Sequence, residues 1–538
     1  GAPSEARVDR RQFLISLGRA GLAGGLASIA GACAPSVPTF VPAGPRNPAA
    51  SGIAPSGALP SGALASPSAG SAPRDTTIAD ENRRQGGRGW NLVGGPPDVE
   101  GFVDAVSVAP GEQLGLHLDS RVPADVDVSW YRLGWYGGAG GRLIHVDRGL
   151  RVAHSGPTIV NPTSGLSEAP WPPAITVAVP ADWPTGLYKA IFRPAVGFPG
   201  STAFVVRPAR RAIPAPVLFV SAATTWQAYN IWGGADFYDA LAADPLEASN
   251  GRRAVEVSFD RPYLLNRGGG YLPNWEQQFI RWQERAGRSV DYCADVDLEL
   301  HPELLAGRRL IVFAGHHEYW SRPMRMALEG AIGSGINVAF LSANEIYWQV
   351  RFAPSSLGAA RRVICYKVAA LDPLAATQPA LATTRWREPP VNDPEAPLIG
   401  QMYGHVVRRP ADWIVQGASH WLYEGTGLVD GDRIANLVGQ EYDTFFPQYA
   451  QPGTQILARS PVEAVIRGVD PTPGPRVQTA TIYTADSGAT VFAAGTFQWS
   501  WALDAFGQRS YRGVVTPPDR RVERMTRNLF DRLGDGSV

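Results

Sequence analysis

The tightest constraint on this chain is the stretch 310–351, where two short apolar runs, 310–314 and 338–341, flank a segment with proline in its first turn and glycines at its end, 323–332. Proline loses little at the first turn of a helix, where its missing N–H would be unpaired anyway, and glycine readily follows a helix end. Strand, helix and strand in that order form a βαβ unit, which predicts parallel strands and a right-handed crossover. Each run ends in a small residue followed by a polar, aromatic cluster. The first is Gly315-His316-His317-Glu318-Tyr319-Trp320, and the second is Asn344-Glu345-Ile346-Tyr347-Trp348. Ligands of an open parallel sheet bind beyond the carboxyl ends of its strands, so neighbouring strands would turn both clusters toward one crevice.

The chain around this unit divides by composition. Residues 1–33 read as an export address: Arg10-Arg11-Gln12-Phe13-Leu14 opens a mild apolar stretch that carries Arg19 and five glycines. A glycine-rich run of this kind is a poor membrane helix and resembles a twin-arginine signal. The expected destination is the periplasm, cell surface or medium. Cys33 directly follows Ala30-Gly31-Ala32 and offers a point for a lipid anchor, the one membrane contact expected. Residues 34–87 are rich in Pro, Ala, Ser and Gly and read as a disordered tether, because they bury too little apolar surface to offset ordering entropy.

Short alternating runs between Gly and Pro turns follow at 88–208 and predict an immunoglobulin-like β-sandwich. Trp135, Tyr136 and Trp183 there read as core and turn residues, or as a surface that docks on the next domain. From 214 to 538 the pattern is α/β with a mostly parallel sheet, glutamine-amidotransferase-like in outline. A strand-rich insertion is expected at about 352–490, and a closing helix at 519–533.

With 49 basic and 49 acidic residues the formal charge is zero, and only Lys189 and Lys367 are lysines. No basic run accompanies the arginines, so a nucleic-acid partner is not expected. Cys33, Cys293 and Cys365 form neither a disulfide framework nor a Cys-x-x-Cys pair. Cys293 and Cys365 read as two buried thiols, with a bridge between them as the alternative.

On spacing alone, tyrosines at a sheet edge serve as packing rims and glutamates as helix caps. The motifs at 315–321 and 344–348, together with Thr225-Trp226-Gln227-Ala228-Tyr229-Asn230 and Tyr131-Arg132-Leu133-Gly134-Trp135-Tyr136, resemble those of the N,N-dimethylformamidase large (beta) subunit family. The likeness spans most of residues 90–535. It implies hydrolysis of an amide-type C–N bond in a small-molecule substrate at a mononuclear ferric centre held by two tyrosines and a glutamate. It also implies a small partner subunit or a homo-oligomer. By motif the expected ligands are Tyr319, Tyr347 and Glu441, with Tyr366 competing with Tyr347, and Glu424, Glu318 and Glu345 competing with Glu441.

The proposed donors are chemically coherent, because phenolate and carboxylate are hard oxygen donors that suit a trivalent ion. His316 or His317 can position water, Glu318 or Glu345 can shuttle protons, and Asn344 completes the expected catalytic group. Adjacent residues on extended backbone point to opposite sides, so one of the two histidines is expected to face the crevice. Zinc is the weaker alternative, since His-Glu-x-x-His is absent. No Gly-x-Ser-x-Gly elbow is traceable, and neither turn presents a nucleophilic cysteine. The competing reading is a non-catalytic cell-surface protein that binds through the sandwich and the aromatic turns.

Overall fold

Residues 99–206 alternate apolar and polar side chains, and in the computed structural model they form two sheets around one core. The structure describes residues 77–92, 96–209, 214–238, 253–264, 275–464, 476–507 and 510–535. The expected export signal, Cys33 and most of the expected tether lie outside these residues.

The strands of these two sheets are β1 (Val99–Val103), β2 (Ser107–Val108), β3 (Gln113–Ser120), β4 (Ala124–Leu133), β5 (Gly141–Val152), β6 (Pro173–Ala178), β7 (Gly186–Pro194) and β8 (Gly200–Val206). One sheet has the order β1-β3-β6 and the other β2-β8-β7-β4-β5. Both sheets contribute to a single apolar cluster, with Val99, Leu116 and Leu118 from one and Val128, Trp130, Phe192 and Phe204 from the other.

The second half is organised by β9 (Val217–Ser221), β10 (Val290–Ala294), β11 (Leu310–Phe313), β12 (Asn337–Phe340), β13 (Gln455–Pro461), β14 (Val477–Thr484) and β15 (Thr490–Ala493). The sheet order is β10-β9-β11-β12-β15-β14-β13. The first five strands are parallel, and β14 and β13 extend the edge antiparallel. Two strands inside the 352–490 stretch are therefore part of the main sheet rather than of an insertion. Antiparallel edge strands need no crossover helix, so they left no helical punctuation in the sequence.

Alternate residues of the central strands enter two different cores. Val217, Phe219, Leu310, Val312 and Ala339 face one core, and Leu218, Val220, Ile311, Phe313, Val338 and Phe340 face the other. Burial on both faces explains why these strands read as unbroken apolar runs. Helix α1 (Ala223–Ala228) follows β9 directly. On the first face lie α2 (Gln277–Arg285), through Phe279, Ile280 and Trp282, and α4 (Arg520–Leu529), through Val522, Met525 and Leu529. On the second lies α3 (Arg322–Gly333), through Met324, Leu328 and Ile332. Ser321 caps α3 by accepting from the Met324 N–H, and α3 connects β11 to its parallel neighbour β12.

A polar latch joins the two halves. Arg132 of β4 donates to both carboxylate oxygens of Glu284 on α2, at 2.7 and 2.9 Å. Tyr292 donates to the same carboxylate at 2.7 Å, and the Arg132 and Glu284 side chains are fully buried. Tyr136 donates to Glu81, which also pairs with Arg142. Trp135 lies under the guanidinium groups of Arg281 and Arg285, so Trp135 faces the half that holds the seven-stranded sheet. Trp183 instead packs in the sandwich core on Trp130 and Tyr188. Cys293 and Cys365 are both buried free thiols.

Candidate active site

Three parallel strands deliver side chains to one place. Beyond β9, α1 leads to Tyr229, and a tight turn through Gly233 and Gly234 leads on to Tyr238. Beyond β11 comes the 315–320 turn, and beyond β12 the 342–348 turn. Gly315 is a steric requirement, because a Cβ there would stand 2.8 Å from Cγ of buried Glu276.

At the centre is Glu318, which is 1% exposed. Tyr229 donates to one carboxylate oxygen and Tyr238 to the other, each at 2.6 Å, and the two phenol oxygens are 3.0 Å apart. The Trp348 indole N–H donates to Glu318 at 3.2 Å, and His316 Nε2 stands 3.1 Å from it. The ammonium of Lys367 sits 3.2 Å above the Tyr238 ring centre. A cation on an aromatic face is attracted by the ring quadrupole. The His316 ring rests on Phe497, with centroids 4.4 Å apart.

Glu441 opens a short strand, Glu441–Thr444, on the far side of His316, with Oε2 4.0 Å from His316 Nε2. Asn344 donates its side-chain amide to Glu441 Oε2 at 2.7 Å. Left-handed backbone is concentrated here, at Asn344 (φ 57°), Ile346 (φ 53°) and Gln440 (φ 63°). Such conformations persist only where their surroundings fix them, and they cluster at functional sites.

Behind this front lies a layer of buried carboxyls. Glu345 accepts from the His317 backbone N–H, and burial, then the nearby Asp443, push its carboxyl well above the ordinary range. Burial likewise raises Asp443 to about 7. His317, fully buried, is pushed down to about 3 by burial and by its neighbour His316. Thus His316 faces the cluster and His317 the interior.

Tyr319 and Tyr347 have different ring neighbours. Tyr319 and Trp348 are paired in parallel register, and both rings lie beneath Lys367. Tyr347 stands just before the strand that opens at Trp348. It packs edge-on against Tyr403 beneath Arg387. The Tyr319 hydroxyl is fully buried, with no hydrogen-bond partner among the described residues. Burial, followed by the charge of Glu318, pushes its phenol well above the usual value. Tyr366 lies beyond the strand that ends at Ile364, where its backbone N–H donates to Thr383. Glu424 is exposed beside α4, where its carbonyl accepts from Arg524 and Asn528.

Motif reading missed Tyr229, Tyr238 and Lys367. Tyr229 carried a usable signal, standing beyond the buried run 217–220 just as the other two clusters stand beyond theirs. Lys367 carried another, as one of two lysines in the chain. Among the described residues, no three His, Cys, Asp or Glu side chains converge on one point as a metal-binding group.

The family model described as N,N-dimethylformamidase beta subunit-like, C-terminal, matches residues 127–513. The chain belongs to this family. No curated protein matches it. Among solved structures, the sporulation control protein Spo0M from Bacillus subtilis is 14% identical, with 22% of this chain and 51% of that chain covered at a TM-score of 0.14. A cycloisomaltooligosaccharide glucanotransferase from Paenibacillus sp. is 12% identical, with 37% and 27% covered at 0.15. PhoD is 8% identical, with 82% and 99% covered at 0.18.

Proposed function

We propose that this protein is an N,N-dimethylformamidase-like hydrolase of amide-type C–N bonds whose ion is held by Tyr229, Tyr238 and Glu318, in place of the set expected from the motifs. The observation that carries the reading is the convergence of two phenol oxygens on one buried carboxylate. Two phenolates and a carboxylate match the charge of a ferric ion, and such a hard-oxygen set suits it better than zinc. When bound, the ion supplies Lewis acidity toward a carbonyl oxygen and lowers the pKa of water.

The remaining roles belong to the chain. Lys367 sets a positive charge against the Tyr238 ring. His316, between Glu318 and Glu441, is placed to take a proton from water and pass it to Glu441. Asn344 fixes Glu441 by donating to one of its oxygens. Phe497 and Trp348 restrict water around these groups. The wider proposal keeps the immunoglobulin-like assignment of the sandwich, in which Tyr188 donates to the Pro184 carbonyl four residues upstream at 2.7 Å, as a tyrosine corner does. It also keeps the amidotransferase-like outline of the main sheet, twin-arginine export and a small partner subunit.

The test is elemental analysis with an absorption spectrum and a formamide-hydrolysis assay on the purified protein. The expected result is about one iron per chain, a phenolate charge-transfer band and hydrolysis, with band and iron both lost in Tyr238→Phe. Colourless, iron-free protein from iron-replete cells would overturn the reading.

A further inference from the structure

Asp443 does not reach the Glu318 cluster, yet it touches the turn that completes the site. It is 2% exposed, and its Oδ1 accepts from the Asn344 backbone N–H at 2.8 Å. Asn344 holds a left-handed φ of 57°, a conformation disfavoured for L-residues though tolerated by asparagine. The side-chain amide of this same residue donates to Glu441 at 2.7 Å.

Glu441 and Asp443 are two apart in one short strand, so their side chains leave on the same face. That strand is itself fixed. It pairs with Met402–Val406, placing Val406 opposite Glu441 and Tyr403 opposite Asp443, and the Asp443 N–H donates to the Gly495 carbonyl. One rigid strand therefore presents two carboxyl groups to the two N–H donors of a single residue. The charged groups around Asp443 are Arg387, Glu395 and Glu441, together with Glu345 on the turn. Arg387 is committed to Glu395 and to the Tyr403 carbonyl, which leaves the Asn344 N–H as a fixed hydrogen-bond donor to Asp443.

We propose that Asp443 is a positioning residue that holds Asn344 in its left-handed turn so that the Asn344 carboxamide meets Glu441. Its catalytic consequence rests on the hydrolase reading, whereas its structural consequence does not. Without the acceptor, the 343–347 turn relaxes toward right-handed backbone and Glu441 loses its register with His316. An ångström-scale misplacement of this kind costs about 100-fold in rate.

The experiment compares wild type, Asp443→Ala, Asp443→Ser and Asp443→Asn by amide hydrogen exchange over 342–348, iron content, and kcat and KM on a formamide. Asparagine keeps an acceptor at the same reach, while alanine and serine do not. The expected result is at least tenfold faster exchange across the turn in Asp443→Ala and Asp443→Ser, with near-wild-type exchange in Asp443→Asn. Iron content and KM stay unchanged, and kcat falls about 10- to 100-fold in the first two variants alone. Unchanged exchange in both Asp443→Ala and Asp443→Ser would overturn the proposal. So would failure of asparagine to restore exchange. Absence of hydrolysis in wild type would count against the hydrolase reading, and the exchange comparison would still decide the role of Asp443.

Discussion

Glu284 and Glu318 are buried glutamates that each accept a hydrogen bond from at least one tyrosine, and they differ in what else surrounds them. Glu284 is clasped by both arms of Arg132, with Tyr292 as an additional donor. Glu318 accepts from Tyr229 and Tyr238, with an indole and an imidazole alongside. In the first, a guanidinium built into the fold closes the ion pair, and burial of both partners makes a joint between two halves of the molecule. In the second, two phenol oxygens meet the two carboxylate oxygens with the Lys367 ammonium on the Tyr238 ring; under the proposed function an ion of high charge replaces the phenol protons. The surroundings, rather than the residue type, separate a structural carboxylate from a candidate ligand.

The comparison is broken most directly by exchanging the losses. Glu318→Gln is expected to abolish iron binding completely while changing the unfolding free energy of the iron-free protein, measured in urea, by no more than about 1.5 kcal/mol, since an amide still pairs with the phenols. Arg132→Met should do the reverse, destabilising by about 3–5 kcal/mol because it strands a buried charge, with the iron content of the folded fraction intact. Loss of iron in Arg132→Met, or its retention in Glu318→Gln, would erase the distinction.

A third buried glutamate tests the intermediate case. Glu276 accepts from Ser221, the Ala222 N–H and the Trp226 indole, and burial raises its carboxyl to about 7 from 4.5. A folded-state value above the unfolded one means that stability falls as pH rises from about 4.5 to 7, by about 3 kcal/mol in total. Glu276→Gln escapes this loss, so its urea midpoint should overtake wild type between pH 5 and pH 8. A pH-independent difference would show that Glu276 does not titrate in that window. The smallest effect belongs to Tyr319→Phe, which should leave iron and colour unchanged; loss of either would restore Tyr319 to the ligand set.

The parts legible in the sequence are those governed by local pattern. The run 310–313, the proline-led helix and the run 337–340 announce themselves because both faces of these strands are buried. The polar clusters beyond them mark the crevice, and His316, Glu318 and Asn344 do meet there. Tyr238 was illegible because it follows a Gly233-Gly234 turn with positive φ at both residues, not a strand of its own. The choice among Tyr319, Tyr347 and Tyr366 depends on which neighbours each meets, which a motif does not encode. The Arg132–Glu284 pair joins residues 152 positions apart, and no local pattern reports such a partnership.

Tyr229 and Glu318 are 89 residues apart in the chain, yet they follow hydrogen-bonded neighbours, β9 and β11. The oxygen cluster therefore comes into being only when that non-local strand pairing closes, and no fragment carrying one strand alone can assemble it. Metal uptake by a refolding chain would then act as a clock for the sheet's last long-range step, appearing with tertiary structure rather than with the early helices.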